Sequence, residues 1–292
     1  MNPDPAITVY IPTRNRPTLL KRAVTSALEQ SYPHFELVIA LDRPSEEARS
    51  MAGELAGAAA RAGRVLRVVE SDRPGACAAR NCALAAATGE FATGLDDDDY
   101  FERNHLMTLA KSFDATRHAF IFTGRRAIHL DAAGARVETP ISGPTGRLLL
   151  ATLLRKNVVG NQVLTLTARM REVGGFDESL PAWQDYDLWL RLARRYGPAW
   201  GLPGHSYVFD QVSAEERISG DATLIEAAYR QFLEKHAEYA EPTLSAFLRL
   251  TRAAYGVGGF GLADAARVVV SAGVSRLSID AACVYLNGLR GV

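Results

Sequence analysis

Apolar positions in the first hundred residues fall into two alternating patterns. Short unbroken runs at 7–11, 35–41, 65–70 and 91–95 read as strands covered on both faces, because a strand with one wet face would alternate apolar and polar residues. Between them, residues 19–30, 46–61 and 76–87 carry apolar side chains at helical spacing, which predicts three amphipathic helices. The order is therefore βαβα, and a mostly parallel sheet flanked by helices is the economical way to cover such strands. In that architecture ligands collect at the carboxyl ends of the strands. Three polar loops sit there: Pro12-Thr13-Arg14-Asn15-Arg16-Pro17, Asp42-Arg43-Pro44-Ser45 and Asp96-Asp97-Asp98-Asp99.

Beyond residue 100 the pattern is less regular. It predicts a hairpin around Asp131-Ala132-Ala133-Gly134, a helix over 145–155, a strand over 162–167 and a turn at Gly174-Gly175-Phe176-Asp177. From Asp221 helix formers dominate, with glycine breaks at Gly256, Gly258, Gly259 and Gly261. The 292 residues thus divide into a large α/β domain over 1–220 and a helical extension over 221–292, a length that allows one sizeable core plus an appendage.

Composition narrows the partners. Apolar residues make up 48% and charged residues 23%, with zero net charge, so no global field recruits nucleic acid or an anionic membrane, and an anionic ligand must be held locally. Cys77, Cys82 and Cys283 have neither metal-site spacing nor an even count, which predicts reduced thiols and a cytoplasmic setting. The start, Met1-Asn2-Pro3-Asp4-Pro5, shows no basic segment or apolar stretch of a secretory signal. No run of about 18 apolar residues predicts a membrane span.

The aspartate run carries the strongest chemistry. Four adjacent carboxylates repel one another, and placing them at a sheet edge is costly unless a hard cation such as Mg2+ or Mn2+ neutralises them. A solvated acidic turn is the structural alternative, and the position directly after a strand argues for a site. Asp185 opens the segment 185–196, where Tyr186, Trp189, Leu190 and Ala193 share one helix face. A carboxylate at a helix amino end stays ionised, which suits a general base, although an N-capping aspartate would occupy the same place. Arg80, on the helix 76–87, can grip a phosphate or pair with one of the aspartates. No histidine pair of zinc type, phosphate loop or Gly-x-Ser-x-Gly nucleophile occurs, which removes zinc hydrolase and ATPase readings.

Taken in order, Ile11-Pro12-Thr13-Arg14-Asn15-Arg16, Asp42, Gly75 with Ala79-Arg80-Asn81, Gly89-Glu90-Phe91 leading into Leu95-Asp96-Asp97-Asp98-Asp99, and Gly174-Gly175-Phe176-Asp177-Glu178 with Asp185-Tyr186-Asp187-Leu188-Trp189-Leu190-Arg191 resemble family 2 glycosyltransferases of GT-A fold. The resemblance covers roughly residues 5–220, and the ordered set is far more specific than any single motif. It implies inverting transfer of a sugar from a nucleotide-diphosphate donor, a UDP-sugar in the first instance, to a hydroxyl of a saccharide or lipid-linked saccharide acceptor, with Mn2+ or Mg2+. By the same resemblance Pro12, Thr13, Asn15 and Asp42 hold the nucleotide, while Arg80, Asp96 and Asp97 hold the rest of the donor. Asp98 ligates the metal and Asp185 is the catalytic base, with Asp99, Trp183 and Gln184 as sugar or acceptor contacts.

The chain departs from the family pattern at three places. Arg43 stands where many members have a second acid, Gln184 replaces the glutamate usual before the base, and residues 209–215 offer no histidine, His205 being the nearest. The implied setting is bacterial surface polysaccharide or glycolipid assembly in the cytoplasm, at the inner face of the membrane. Leu244, Phe247, Leu248 and Leu250 beside Arg249 and Arg252 offer a peripheral membrane contact, unless they face their own core. Two other classes share the acidic run. A sugar nucleotidyltransferase needs an early glycine-rich loop, which Thr13-Arg14-Asn15-Arg16 lacks. A non-catalytic nucleotide-sugar or metal-binding module would tolerate loss of Asp185.

Overall fold

The apolar runs become the strands of a parallel sheet in the computed structural model, which describes residues 6–212, 222–239, 242–254 and 260–272. The first elements are β1 (Ile7–Thr13), α1 (Pro17–Leu28), β2 (Phe35–Asp42), α2 (Glu46–Arg61), β3 (Val65–Ser71), α3 (Ala76–Ala86) and β4 (Phe91–Gly94). Next come β5 (Tyr100–Phe101), α4 (His105–Ser112), β6 (Ile121–Leu130), β7 (Arg136–Ile141), β8 (Gly146–Leu148) and α5 (Leu150–Leu153). The rest are β9 (Thr165–Leu166), α6 (Thr167–Glu172), α7 (Gln184–Tyr196), β10 (Ala199–Asp210), α8 (Ala222–Lys235), α9 (Pro242–Ala254) and α10 (Leu262–Ala272).

The first sheet has the order β3-β2-β1-β4-β9. Its first four strands run parallel, with Ile11 opposite Ile39 and Tyr10 opposite Gly94, and β9 closes it antiparallel through Phe91 opposite Leu166. Strands β1 and β2 are buried along their whole length, whereas β3 at the edge is largely open to solvent. The central strands thus have the covering on both faces that their apolar runs predict, but the run at 65–70 does not: β3 pairs only with β2 among the described residues, and at the sheet edge its residues are half-buried or exposed. Ile7, Val9, Leu37 and Ile39 meet Leu20 and Val24 of α1 in the main core. Local signals start the helices: Pro17 sits in the first turn of α1, and Ser45 caps α2 by accepting from Ala48 N at 3.2 Å. Because β1, β2 and β4 end at one edge, Thr13, Asp42 and the aspartate run emerge together.

A second sheet, β5-β10-β6-β7 with β8 joined to β10, supports that edge and was not legible in the pattern. The hairpin expected at 131–134 joins β6 to β7, with Leu130 opposite Arg136. The helix expected over 145–155 is replaced by β8 and the single turn α5. Gly146 adopts φ +83°, and residues 146–148 pair antiparallel with Gly201 to Ala199, so sheet pairing overrode the helix preference of the leucines. The strand expected over 162–167 shortens to β9, preceded by a bridge between Leu164 and Ile121.

The chain forms two compact units, one of residues 1–150, 158–178 and 185–215, the other of 151–157, 179–184 and 216–292. In the second, Ala246, Phe247, Leu250 and Val268 make a small core with Phe260 against it. Leu248 is buried as well, Arg249 pairs with Asp264 at 2.5 Å, and Arg252 pairs with Glu226 at 2.8 Å. Asp221, Gly256, Gly258, Gly259, Cys283, the side chain of Leu244, the first five residues and residues 213–215 lie outside the described residues. Among those described, no helix is long and apolar enough to cross a membrane, and Cys77 and Cys82 are free thiols.

At the opposite edge of the first sheet a buried acid is fully satisfied. Glu36 accepts from Thr8 Oγ1 at 2.7 Å, Thr88 N at 2.6 Å, Thr88 Oγ1 at 2.8 Å and Arg67 Nη2 at 2.6 Å. Burial works against the ionised form, but these donors hold Glu36 below the usual carboxylate range. Gly89 N donates to Thr8 Oγ1 at 2.9 Å, and a Cβ on Gly89 would lie 2.6 Å from Thr8 N and 2.9 Å from Ala6 O. Backbone cannot yield cheaply there, so Gly89→Ala is expected to lower stability by about 1–3 kcal/mol, read from the denaturant midpoint of the purified chain.

Candidate active site

The aspartate run forms a turn after β4, closed by Asp99 N donating to Asp96 O at 3.0 Å. Its four side chains alternate. Asp97 and Asp99 point inward, with 1% and 0% exposure, while Asp96 and Asp98 reach the surface. Arg16 grips Asp97 with two nitrogens, reaches Asp98 Oδ2 at 3.5 Å, and Thr13 Oγ1 donates to Asp97 Oδ2 at 2.6 Å. Asp96 receives Arg80 Nη2 at 2.8 Å, Asn161 Nδ2 at 2.8 Å and Gln162 Nε2 at 3.3 Å. Asp99 receives Tyr207 OH at 2.7 Å, Asn161 Nδ2 at 3.1 Å and Asp210 N at 3.0 Å, which fixes the turn to β10.

Three of the carboxyls therefore differ in acidity. Burial raises Asp97 to about 6, the charges of Asp98 and Asp96 add to this, and Arg16 with Thr13 oppose it. Burial and the charges of Asp96 and Asp98 push Asp99 well above the ordinary aspartate value, against the hydrogen bonds from Tyr207 and Asp210 N. For Asp96 burial acts the same way, yet Arg80 and Asn161 outweigh it and hold the carboxyl low. The residues that present negative charge at the surface of the turn are thus Asp96 and Asp98. Among the described residues no three His, Cys, Asp or Glu side chains converge so as to hold a metal.

The two neighbouring loops are braced against each other. Asn15 adopts φ +52° and Arg43 φ +46°. Asn15 Nδ2 donates to Arg43 O at 3.3 Å while its Oδ1 accepts from Ser45 N at 2.7 Å. Asp42 is 4% exposed, and its Oδ1 has no hydrogen-bond donor among the described residues, Arg43 Nε lying 3.6 Å away. Pro12 is enclosed in β1 opposite Ala40.

On the other side, a ladder of rings joins β1 to α7. Tyr10 meets Phe176 edge-on at 6.1 Å, Phe176 meets Trp189 at 6.4 Å, and Arg80 lies over the Phe176 ring at 5.3 Å. The Gly174-Gly175-Phe176 turn is held by Asn81, whose Oδ1 accepts from Phe176 N and whose Nδ2 donates to Phe176 O, both at 2.8 Å. Gly175 is at φ +66°, and a Cβ there would come within 2.4 Å of Asn81 Oδ1, so only glycine fits. Arg191 ties the turn to α7 by donating to Val173 O at 2.6 Å, Gly175 O at 2.7 Å and the fully buried Asp187 at 2.6 Å.

This scaffold sets Asp185 in the first turn of α7. Burial raises its pKa, the Tyr186 backbone N–H and Arg80 oppose the rise, Asp96 adds to it, and Arg125 pulls it down. Asp185 thus lies within the field of the residues around the acidic turn. Trp183 and Gln184 fall in the second unit. Trp183 is nearly buried at φ +61°, edge-on to Phe232 at 5.7 Å, and its Nε1 has no partner among the described residues. Gln184 Nε2 donates to Leu180 O at 3.1 Å. His205 Nε2 bonds Ser142 Oγ at 2.9 Å. Sequence reasoning assigned no role to Arg16, Tyr207 or Arg125. Arg16 stood in a quoted motif, but nothing in the chain pattern brings β6 or β10 to this edge.

Residues 8–172 match the family model for glycosyl transferase family 2, and the chain belongs to that family. It is 31% identical over 243 residues to the putative colanic acid biosynthesis glycosyl transferase WcaA of Escherichia coli (strain K12), covering 82% of this chain and 84% of that protein. It also matches an uncharacterized glycosyltransferase of Rickettsia felis, 29% identical over 65% of this chain, but spans only 32% of that protein. The fold resembles that of S. aureus TarS 1-349 in complex with UDP-GlcNAc, with TM-score 0.62, 18% identity, and coverage of 94% of this chain and 79% of TarS. It also resembles the mannosyltransferase PcManGT from Pyrobaculum calidifontis in complex with GDP-Man and Mn2+, with TM-score 0.56, 18% identity, and coverage of 98% and 88%. The protein is therefore an enzyme, a glycosyltransferase of GT-A architecture, which sets aside the nucleotidyltransferase and non-catalytic readings.

Arg191 offers a direct check on the scaffold under Asp185. Arg191→Met leaves Asp187 buried without its counter-ion, and a loss of about 3–5 kcal/mol is expected, measured by chemical denaturation.

Proposed function

We propose that the enzyme transfers a sugar, with inversion, from a UDP-type nucleotide-diphosphate donor to a hydroxyl of a saccharide or lipid-linked saccharide. The observation that carries this reading is the alternation in the aspartate turn, which leaves Asp96 and Asp98 facing outward at the edge where a buried oxygen of Asp42 has no hydrogen-bond donor among the described residues. Asp42 Oδ1 is an acceptor awaiting a donor, as a base N–H would be. Thr13, whose hydroxyl is committed to Asp97, shapes the floor between nucleotide and turn, and Asn15 fixes the loops that carry Asp42 and Ser45.

The donor set suits a hard divalent cation. Asp98 offers an oxygen ligand at the surface, and Asp96 lies beside it to hold ribose or a bound water, with the donor diphosphate to supply further oxygens. Mn2+ or Mg2+ at Asp98 would supply Lewis-acid neutralisation of the charge on the departing diphosphate. Arg80 holds Asp96 ionised and in place. Asp185 takes the proton of the accepting hydroxyl as its oxygen bonds to the anomeric carbon, and the bond from that carbon to the nucleoside diphosphate breaks with its electron pair leaving on the diphosphate. Positioning of the hydroxyl by Asp185 and stabilisation of the leaving group supply most of the rate.

The relatives support a setting in polysaccharide biosynthesis. WcaA is named for colanic acid biosynthesis, which supports assembly of a bacterial polysaccharide; Phe247, Leu248 and Leu250 of the helical extension face their own core, and Arg249 and Arg252 are paired, so these residues supply no membrane contact.

Titration calorimetry with UDP, GDP and dTDP, each with and without Mn2+, tests the donor; binding of one nucleotide only with metal is expected, and Asp98→Ala should remove the metal dependence. Asp185→Asn should leave nucleotide binding intact and lower transfer on the order of 10²–10⁴-fold. Transfer at the normal rate by that variant would refute the base assignment. Asp185 works deprotonated and its pKa is raised, so the acid limb of kcat against pH is expected above the ordinary aspartate value of about 3.9, with rate falling about tenfold per unit below it.

A further inference from the structure

The arginines that support the acidic turn and α7 have carboxylate partners. Arg16 holds Asp97 and Asp98, Arg80 holds Asp96, Arg22 and Arg136 both hold Asp210 at 2.5 Å, and Arg191 holds Asp187. Arg125 is different. It lies in the middle of β6 opposite Tyr207 of β10, is half-buried, and its side chain makes neither a hydrogen bond nor an ion pair among the described residues. Its contact there is the ring of Phe209, 5.7 Å from the guanidinium carbon.

The group is nonetheless held in place. Gly160, at φ +100°, passes so close that a Cβ would lie 2.7 Å from Arg125 Cζ and 2.8 Å from Nε and Nη1. The Gly160 carbonyl is itself fixed by Trp189 Nε1 at 2.9 Å. The next residue, Asn161, spends its Nδ2 on Asp96, Asp99 and Tyr207, which leaves Oδ1 enclosed with no partner among the described residues. Arg125 also acts on Asp185, drawing its acidity toward the ionised form against burial. A guanidinium that has lost part of its hydration, and has been given a stacking face and a glycine seat with no carboxylate in ion-pair contact among the described residues, is poised for an anion that arrives from outside.

In the reading above the charge of the diphosphate would be met by the divalent cation at Asp98, which leaves Arg125 for another anion. We propose that Arg125 reads an acidic substituent, a carboxylate or a phosphate ester, on one of the two sugars brought together at Asp185, so that this enzyme handles an acidic saccharide. The proposal rests on the transferase reading above. The planar fork of the guanidinium suits two parallel bonds to such a group, and Asn161 Oδ1 is available to a neighbouring sugar hydroxyl.

Two arms of one experiment separate the sources of the charge. With the full chain and Mn2+, UDP-glucuronate is titrated against UDP-glucose and UDP alone; without nucleotide, methyl β-glucuronide and glucose 6-phosphate are compared with methyl β-glucoside by ligand-observed NMR. In one arm the acidic probe is expected to bind about tenfold tighter or more than the neutral one. Arg125→Gln should erase that preference and Arg125→Lys should keep part of it, while UDP binding stays unchanged in both. A preference in the first arm places the charge on the donor sugar, and one in the second places it on the acceptor. Equal binding of acidic and neutral probes by the natural protein in both arms would overturn the proposal, as would a preference that survives Arg125→Gln. An equal loss of UDP itself in Arg125→Gln would assign the residue to the diphosphate instead. A change confined to the pH limb of Asp185 would reduce it to an electrostatic positioning residue. If no nucleotide binds but the acidic preference appears in the second arm, the donor reading fails while the anion site stands.

Discussion

Four adjacent carboxyls must be accommodated at the end of one strand, and much of the site is arranged around that constraint. Two of them, Asp97 and Asp99, are removed from water altogether. Such a turn cannot be built from local sequence, because desolvated like charges repel strongly at short range. It persists because Arg16 from the loop before α1, Arg80 from α3, Asn161 and Gln162 from the segment before β9, and Tyr207 from β10 all converge on it. Each partner comes from a different stretch of chain, so the turn cross-links the first sheet to the second.

The neutralisation is unequal, and the inequality has a chemical use. Burial and neighbouring charges push the acidity of Asp99 down, Asp97 is clamped by Arg16, and Asp96 and Asp98 reach the surface. Replacing the inner pair by apolar residues would remove the repulsion but also the bonds to Tyr207, Asp210 N and Thr13 that aim the outer pair. Buried polar groups of this sort are worth their desolvation only when every partner is in place. The same logic appears under α7, where Asp187 and Arg191 fasten the Gly174-Gly175-Phe176 turn and so set Asp185.

Several motif residues that resemble family signatures have, in this molecule, a bracing part as well. Asn15 couples two loops, Asn81 holds the Phe176 turn, and Asp99 fastens β10. A motif residue can thus serve recognition indirectly, by fixing the backbone that presents the contacting group.

The sequence by itself determined the βαβα half of the fold, because unbroken apolar runs and helical spacing are local properties and a parallel sheet is the economical way to bury them. It also determined that Thr13, Asp42 and the aspartate run share an edge, since strand ends in a parallel sheet coincide. What only the tertiary structure decided is how each of these is partnered. The second sheet, the pairing of β8 with β10 in place of a helix, and the arrival of Tyr207 and Asn161 at the acidic turn depend on contacts across long stretches of chain. Which aspartate turns inward is likewise set by the cations and donors that distant segments deliver, and no spacing of residues along the chain encodes that meeting.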